Sequence, residues 1–366
     1  MNKNFKNLII TICFVTILFG FVFANILSTD KQISFSERRK LNQLPVFTIS
    51  DLINGDYFEK TEVYHLDQFF GRDFFRSIKA YFKKYIALQA DNNGIYSVDG
   101  VLYKLNYNLN EISVKSAAQK MNFIANEYFS GCNVFYGLVP DKNYYSANKF
   151  YPRLDCNKLS DLLNENISNM TRIEIQSLLS LADFYKTDLH WSQNCVLPVT
   201  DRVLTAMGCG KVSNASYLTK ELAPFYGSYY GQAALGAEAD TLIYLYNDMI
   251  NSLTLYDYET NETGGVYDDS LINSVDGYSV FLKGAKALLR IDNPQNQNGK
   301  ILYLFRDSFS SSLAPLLAQE YQTVYLIDLR YITLEKLATL IPFETGSDVL
   351  FLYSAELINN SELFLN

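Results

Sequence analysis

Short runs of apolar residues, separated by polar turns, predict an α/β arrangement for the C-terminal part of the chain. Residues 300–305 form a β-branched and aromatic run that is typical of a strand buried on both faces. A polar turn follows, residues 314–321 have the pattern of a helix, and residues 323–327 form a second apolar run. This order predicts a β-α-β unit. Residues 133–139 and 348–353 predict two more buried strands.

Other segments predict helices, a hairpin and a surface excursion. Residues 95–102 predict a hairpin around Asp99-Gly100. Residues 240–246 fit either a helix or a strand, and the polar residues 247–269 predict an excursion at the surface. Apolar residues at helical spacing predict helices over residues 74–88, 113–128, 159–181 and 198–207.

The N-terminal segment has the pattern of a membrane helix. Residues 8–26 are almost entirely apolar, and Lys3 and Lys6 precede them, which predicts a span with its N-terminus inside the cell. Val22-Phe23-Ala24 also fits a signal-peptidase site, so the segment is either an uncleaved anchor or a cleaved signal peptide. The predicted organisation is an anchor or signal peptide at 1–27, a linker at 28–50 and an α/β domain at 51–366. That domain is expected at the cell membrane on the extracytoplasmic side, or secreted if the signal is cleaved.

Composition narrows the classes of partner. The chain has 366 residues, a net charge of −8 and no basic stripe, which argues against nucleic acid as a partner. Its 28 Tyr and 25 Phe residues are either core and strand residues or platforms for sugar rings. The sequence predicts no metal site and no cofactor.

The cysteines allow two interpretations. Cys13 lies in the apolar N-terminal segment. The other four permit two disulfides in an oxidising compartment, with Cys195–Cys209 and Cys132–Cys156 as the first choice. Free thiols are the alternative.

Two separate motifs carry candidate catalytic residues. Ser308 follows the carboxyl end of the strand at 300–305, where open parallel sheets bind ligands. The backbone N–H groups of Ser308 and Phe309, at the start of the next helix, are candidate donors to an oxyanion. In extended backbone Asp188 and His190 project from the same face, so Asp188 is placed to fix the tautomer of His190. Only two histidines are present, which makes His190 the expected base and leaves a buried core histidine as the alternative.

Two further residues have open roles. Lys142 follows the predicted strand at 133–139 and belongs either to a surface turn or ion pair, or to the cleft, where it would bind an anionic group. Trp191, the only tryptophan, is expected either to wall the site or to stack on a sugar.

These motifs resemble a known family. Arg306-Asp307-Ser308-Phe309 resembles the Gly-Asp-Ser-type serine block of the SGNH hydrolases, with Arg306 in place of the glycine. Its continuation to Asp328-Leu329-Arg330-Tyr331 resembles the DHHW family, relatives of the alginate O-acetyltransferases. Asp188-Leu189-His190-Trp191 resembles the signature of that family, with Leu189 in place of the first histidine. Residues 225–230 and 276–284 also resemble DHHW segments.

The resemblance implies a fold and a set of site residues. The expected fold is an SGNH-hydrolase-like three-layer α/β fold with a mainly parallel sheet, a permuted triad order of Asp188, His190 and Ser308, and an N-terminal transmembrane helix. Two segments that resemble the family suggest lesser roles. Ser228 belongs either to a tight turn or to the cleft lining, and Gly284 is a candidate second oxyanion donor.

The implied function is serine-dependent O-acetyl transfer to a cell-surface polysaccharide through an acyl-serine. The implied partners are a polysaccharide acceptor and an integral-membrane acyltransferase that supplies the acyl group. A carbohydrate esterase of the same fold and a non-catalytic glycan-binding envelope protein are the alternatives.

Overall fold

The computed structural model describes residues 3–365, and these form two compact units that divide between Asn92 and Asn93. The first unit contains a long N-terminal helix, a two-stranded hairpin and three shorter helices. These elements are α1 (Lys3–Leu27), β1 (Ile33–Ser34), β2 (Arg39–Lys40), α2 (Ile49–Asn54), α3 (Asp56–Gln68) and α4 (Arg72–Tyr81), which continues as a π-helical turn over Phe82–Ile86.

The helix α1 is long enough to cross a bilayer. At 1.5 Å per residue its 25 residues extend about 37 Å, whereas the hydrocarbon core of a membrane is about 30 Å thick. Its composition is apolar, and none of its residues is buried by other parts of the chain. The apolar N-terminal helix expected from the sequence is therefore present, and its length and composition suit a membrane span.

Residues 51–92 lie in the first unit, whereas the sequence-based division placed them with the α/β domain. The structure shows what joins them to the segment before them. Arg39 forms an ion pair with Asp67 on α3, and the N–H of Asn42 donates to the same carboxylate at 2.9 Å. The pKa of Asp67 is held well below its usual value by these contacts.

The second unit is built on an eight-stranded sheet, with helices on both faces. The strands of the sheet, in spatial order, are β10, β9, β11, β13, β12, β14, β5 and β6, and two separate hairpins pair β3 with β4 and β7 with β8. The strands are β3 (Ile95–Val98), β4 (Val101–Lys104), β5 (Asn133–Val139), β6 (Thr171–Ile173), β7 (Leu218–Phe225), β8 (Asp240–Tyr246), β9 (Thr254–Asp257), β10 (Glu262–Gly264), β11 (Leu288–Asp292), β12 (Ile301–Arg306), β13 (Thr323–Ile327) and β14 (Asp348–Ser354). The helices are α5 (Glu111–Tyr128), α6 (Cys156–Asn166), α7 (Leu197–Ala206), α8 (Ser228–Ala233), α9 (Asp248–Ser252), α10 (Ser310–Leu317), α11 (Leu334–Leu340) and α12 (Ala355–Ile358).

The centre of the sheet is parallel, and this confirms the predicted β-α-β unit. β12 pairs in parallel with β13 on one side and with β14 on the other, and β14, β5 and β6 continue in the same direction. Antiparallel pairing is confined to the edge formed by β11, β9 and β10. The hairpin predicted at residues 95–102 is present as β3 and β4.

Alternate residues of the central strands serve two hydrophobic cores. On β12, Leu302 and Leu304 pack into the core beneath α7 and α10, while Tyr303 and Phe305 pack into the core beneath α5, α6 and α11. All four are fully buried. Burial of each such side chain contributes about 1.5–3 kcal/mol. A strand buried on both faces has to be apolar throughout, which is why its sequence pattern was unambiguous.

Three sequence predictions about local structure need correction. The helix predicted over 159–181 is limited to α6, and β6 and 3₁₀ turns take up the remainder. Residues 247–269 contain α9, the edge strand β10 and its neighbour β9, rather than a structureless excursion. The cysteines of residues 3–365 are free thiols, so the second of the two interpretations applies rather than the first-choice disulfides. Cys156 is buried at the start of α6, and the Sγ of Cys209 lies 3.5 Å from the hydroxyl of Tyr321.

Candidate active site

Ser308 lies in the turn between β12 and α10, and Asp307 fixes that turn. One carboxylate oxygen of Asp307 accepts the N–H of Phe309 at 3.1 Å, and the other accepts the N–H of Ser354 at 2.7 Å. Ser354 is the last residue of the neighbouring strand β14. The aspartate therefore ties the serine turn to the end of the adjacent parallel strand, while Ser308 itself stays partly exposed.

Arg306 lies fully buried beneath the same turn. One Nη group of its guanidinium donates to the hydroxyl of Ser311 at 3.0 Å and points towards the carbonyl of Asp307 at 3.4 Å. Burial lowers the pKa of this guanidinium. The side chain packs under the turn rather than into the cleft, so the departure from glycine at this position leaves Ser308 accessible.

The structure brings Asp188, His190 and Ser308 into one hydrogen-bonded line. Nδ1 of His190 lies 2.5 Å from Oδ1 of Asp188, and Nε2 of His190 lies 2.8 Å from Oγ of Ser308. The two motifs are separated by 118 residues in sequence. This is the geometry of an orienting carboxylate, a base and a nucleophile.

The carboxylate of Asp188 has several partners besides the imidazole. Asp188 is fully buried, and its Oδ1 also accepts the N–H of His190 at 3.1 Å. Its Oδ2 accepts the backbone N–H of Ser228 at 2.6 Å. Hydrogen bonds of this kind favour the charged carboxylate and fix its orientation.

Gly227 permits this contact. A Cβ at position 227 would lie 2.3 Å from Cβ of Asp188 and 2.4 Å from the carbonyl oxygen of Thr187. Only glycine allows the chain after β7 to approach so closely. The N–H of Gly227 donates to the hydroxyl of Thr187 at 2.8 Å, which ties the two segments together.

Lys142 supports the loop that carries Asp188 and His190, and its position corrects both sequence interpretations. It is neither at the surface nor in the cleft, because only 1% of its surface is exposed. Its ammonium donates to the carbonyls of Tyr185 at 2.9 Å, Lys186 at 3.2 Å and Asp188 at 2.6 Å. Burial lowers the pKa of Lys142 to about 8.

Asp240 holds the same loop from the other side. It is the first residue of β8, and its carboxylate accepts the backbone N–H groups of Lys186 and Thr187, each at 2.8 Å. It also accepts the hydroxyl of Thr187 at 2.5 Å. The loop is therefore fixed by a buried cation and a carboxylate before any substrate binds.

Aromatic rings fix the plane of the His190 imidazole. Tyr278 stacks on it with ring centroids 3.8 Å apart and planes 4° apart, and Phe309 contacts it at 5.0 Å. The hydroxyl of Tyr278 donates to Ser312 at 3.0 Å. The sequence prediction missed Tyr278, although it lies in the segment 276–284 whose resemblance to the DHHW family was recognised.

Trp191 has a different position from the one expected. It is fully buried, and its indole N–H lies 3.1 Å from the carbonyl of Phe309 and 3.0 Å from the hydroxyl of Ser312. A ring in this position neither walls the cleft nor stacks on a sugar. It braces the first turn of α10 against the segment that carries His190.

The expected oxyanion donors are also revised. The N–H of Phe309 is already bonded to Asp307, and the N–H of Gly284 donates to the carbonyl of Phe281 at 3.1 Å. Within residues 3–365 the N–H of Ser308 makes no hydrogen bond, and the buried hydroxyl of Ser228 has no partner. These two groups are the available donors beside Oγ of Ser308.

A cleft of about 490 Å³ opens over Ser308. Leu189, Ser228 and Phe309 line it near the serine. Ser228 and Phe309, which the sequence had suggested for secondary roles in the site, therefore do reach the cleft. Charged residues line it further out, and each cation there has an anionic partner. Lys104 pairs with Glu356, and Arg330 pairs with Asp328 at 2.6 Å.

The sequence of the site region matches a family. Residues 157–327 match the DHHW protein family, and this range includes Asp188, His190 and Ser308. Because residues 157–327 match that family, we call them the DHHW segment. The resemblance found in the sequence motifs is thus confirmed.

Solved structures agree with the DHHW match. A DHHW family protein from Eubacterium siraeum superimposes with a TM-score of 0.61 at 19% identity, covering 75% of this chain and 95% of that one. Bacillus cereus PatB1, solved with a sulfonyl adduct, gives a TM-score of 0.59 at 15% identity and covers 74% of this chain and 98% of its own. The O-acetyltransferase domain of Pseudomonas putida AlgJ is more distant, with a TM-score of 0.44 at 12% identity, covering 73% of this chain and 92% of that one. No curated protein matches the sequence.

Because these sequence identities are low, the structural similarity establishes only the fold of the DHHW segment and of the residues around it. The SGNH-hydrolase-like three-layer α/β fold, with a mainly parallel sheet, is confirmed. The order Asp188, His190, Ser308 along the chain is the permuted order expected for it.

Proposed function

We propose that the second unit is an extracytoplasmic O-acyltransferase that carries an acetyl group on Ser308 and passes it to a hydroxyl of a cell-surface polysaccharide. The observation that carries the proposal is the line of contacts from Asp188 through His190 to Oγ of Ser308, at 2.5 Å and 2.8 Å. A serine hydroxyl is a weak nucleophile unless a positioned base accepts its proton.

In the first half-reaction, Oγ of Ser308 attacks the carbonyl carbon of an acetyl ester while Nε2 of His190 takes the hydroxyl proton. Asp188 accepts from Nδ1, which keeps Nε2 basic and stabilises the imidazolium that forms. The N–H of Ser308 and the hydroxyl of Ser228, which both belong to residues lining the cleft, would donate to the tetrahedral oxyanion. His190 then protonates the departing alkoxide, leaving the acetyl-serine.

In the second half-reaction, an acceptor hydroxyl loses its proton to Nε2 of His190 and attacks the acetyl carbonyl. Collapse of the intermediate breaks the bond to Oγ of Ser308, which regains its proton from His190. With a sugar hydroxyl as acceptor the reaction is transfer, and with water it is hydrolysis. The sequence resemblance to the alginate O-acetyltransferases favours transfer to a polysaccharide.

The proposed donor is an integral-membrane acyltransferase. Acetyl-CoA is absent outside the cytoplasm, so an extracytoplasmic transferase needs acyl groups delivered across the membrane. The helix α1 would keep the enzyme beside such a partner. Lys3 and Lys6 before the apolar run favour an N-terminus inside the cell and the rest of the chain outside. Protease added to intact cells should therefore digest the second unit, and full protection would contradict this orientation.

The nucleophile is tested by covalent labelling. PatB1 was solved with a sulfonyl adduct, and sulfonyl fluorides react with activated hydroxyls. The wild-type chain should be labelled, and Ser308→Ala should not. Ser310→Ala is the matched control, because the hydroxyl of Ser310 is buried without a hydrogen-bond partner and its removal costs little. Labelling that persists in Ser308→Ala would place the nucleophile elsewhere.

The reaction class is tested with 4-nitrophenyl acetate as donor and a panel of oligosaccharides as acceptors. Release of nitrophenol together with acetylated sugar, seen by mass spectrometry, supports the transferase. Nitrophenol release without acetylated sugar on any acceptor would indicate an esterase. His190→Ala should abolish both signals, whereas His65→Ala, a change on α3 of the first unit, should leave them intact. A folded wild type without either signal would indicate a non-catalytic protein.

A further inference from the structure

The helix α4 and the π-helical turn that follows it are strongly amphipathic. Over residues 72–86 the polar residues occupy one side of the helix, and the large apolar side chains share a single arc on the other. The polar side includes Arg72, Arg76 and Lys83. The apolar arc, which we call the aromatic face, consists of Phe74, Phe75, Ile78, Phe82, Tyr85 and Ile86.

The aromatic face points outward. Phe74 is 65% exposed, Phe82 53% and Ile86 69%, whereas Ala80 on the opposite side is completely buried. A surface helix of a soluble protein has the reverse orientation, with its apolar stripe on the core. Several large apolar side chains exposed on one side of a helix mark an interaction surface.

Ion pairs hold the helix in this orientation. Arg72 and Arg76, both on the polar side, contact the carboxylate of Glu37 at 2.5 Å and 3.4 Å. Arg72 also reaches Asp67, which is buried and paired with Arg39. The interior beside the helix is therefore a cluster of charged groups, and rotation of the helix would bury the aromatic face only by breaking them.

The start of the helix contacts the membrane helix α1. The ring of Phe21 stacks on Phe69 at 5.6 Å and lies 5.7 Å from Phe75, and Oδ1 of Asn25 accepts the N–H of Phe70 at 2.8 Å. Phe21 belongs to the apolar run of α1 and lies six residues before its end at Leu27, a rise of about 9 Å. These contacts place the beginning of α4 beside the C-terminal end of α1.

We infer that residues 72–86 form a second membrane contact, an in-plane helix at the boundary between the headgroups and acyl chains of the leaflet from which α1 emerges. The occupant of the aromatic face is lipid. Helices of this kind bury an apolar face about 5–10 Å into that boundary. Lys79 lies at the edge of the aromatic face, and Lys83 and Lys84 lie on the polar side, where their long side chains suit phosphate groups.

A groove in the same unit supports lipid as the occupant. It has a volume of about 960 Å³ and opens between the end of α1 and the start of α4. Leu27, Phe69, Phe70 and Phe74 contribute its apolar lining, and its charged lining residues are Lys31, Arg72, Asp67 and Asp73. The apolar walls of this groove suit a lipid acyl chain. The inference concerns membrane attachment alone and holds whether or not Ser308 is catalytic.

The test uses the full chain in vesicles of phosphatidylcholine and phosphatidylglycerol, with bromine on the lipid acyl chains as a fluorescence quencher. Phe82→Trp places a reporter on the aromatic face. Tyr107→Trp is the matched control, an aromatic in the second unit with similar exposure, 48% against 53%. Trp191 is buried and contributes the same background to both variants.

Brominated lipid should remove most of the added fluorescence of Phe82→Trp, with emission shifted to the blue, and leave that of Tyr107→Trp unchanged. Bromine near the headgroup end of the chain should quench more than bromine near its terminus, as an in-plane helix requires. Phe74→Trp, one residue from the contact with α1, should behave as Phe82→Trp does. Unquenched, red-shifted emission from both reporters would overturn the inference. That result would indicate a protein partner, rather than lipid, as the occupant of the aromatic face.

Discussion

Replacement of Lys142 by methionine tests whether a buried cation holds the catalytic loop. Methionine has a similar length and flexibility but donates no hydrogen bond. Three carbonyls lose their donor, and those of Tyr185 and Asp188 accept bonds that are fully buried. Each buried acceptor left without a partner costs about 1–3 kcal/mol, so the two together cost about 2–6 kcal/mol. Part of this loss is offset, because the ammonium no longer has to be desolvated.

The difference in stability between Lys142→Met and the wild type should also change with pH, and the direction of that change can be derived. Burial lowers the pKa of Lys142 from 10.5 in the unfolded chain to about 8 in the folded one. Between these values the unfolded chain binds a proton that the folded chain does not, so the lysine term raises the stability as the pH increases. The groups that face the ammonium are Asp188, Asp141 and Asp240, with the rings of Tyr103 and Tyr229. Below pH 8 the desolvation cost is fully present, and it is relieved as the pH rises towards 10.5.

The assay is denaturant unfolding of the full chain in detergent, followed by turnover of 4-nitrophenyl acetate. Lys142→Met should unfold at lower denaturant than the wild type, with a gap that widens between pH 8 and 10, and its turnover should fall because Asp188 is displaced. Lys158→Met is the control, since that lysine forms an exposed ion pair with Glu111. Equal midpoints for both variants and the wild type, at every pH, would refute the role assigned to Lys142.

Three further changes test the surroundings of the site. Gly227→Ala should abolish turnover, because its Cβ would lie 2.3 Å from Asp188, whereas Gly265→Ala, whose Cβ would meet nothing closer than 3.7 Å, should retain it. Trp191→Phe should lower the free energy of unfolding by about 1–3 kcal/mol, measured in denaturant, because a buried carbonyl loses its donor; an unchanged midpoint would show that the bond is not needed. Asp141→Asn should gain stability relative to the wild type as the pH rises from 4 to 6. Burial raises the pKa of Asp141 from 3.8 to about 6, so the wild type loses stability across that window, and parallel pH profiles would contradict this.

The parts of the fold that the sequence predicted are those with an unambiguous local pattern. The strands β5, β12, β13 and β14 are continuous apolar runs, because each is buried on both faces. The edge strand β10 and its neighbour β9 lack such a run, because β10 is largely exposed and β9 is only partly buried, and their segment was mistaken for a surface excursion.

The candidate triad could also be expected from local features. Asp188 and His190 share a face by spacing, and Ser308 follows a strand end. The sequence did not reveal the residues that support the triad, because only tertiary contacts bring those residues next to it. A lysine after a strand has the same local pattern whether it is exposed or, as Lys142 is, buried beneath a loop. The close approach of Gly227 to Asp188 joins segments about 40 residues apart, and no spacing rule predicts it.

The bond between Asp307 and Ser354 has a consequence for when the candidate active site is assembled. The base, its orienting carboxylate and the nucleophile all precede β14 in the chain, but the serine turn is fixed only when β14 joins the sheet beside β12. A chain that emerges from its N-terminus therefore contains every reactive group before it has an ordered nucleophile. Under the proposed function, incomplete chains and early folding intermediates that lack β14 would therefore have a poorly ordered Ser308 and little reactivity.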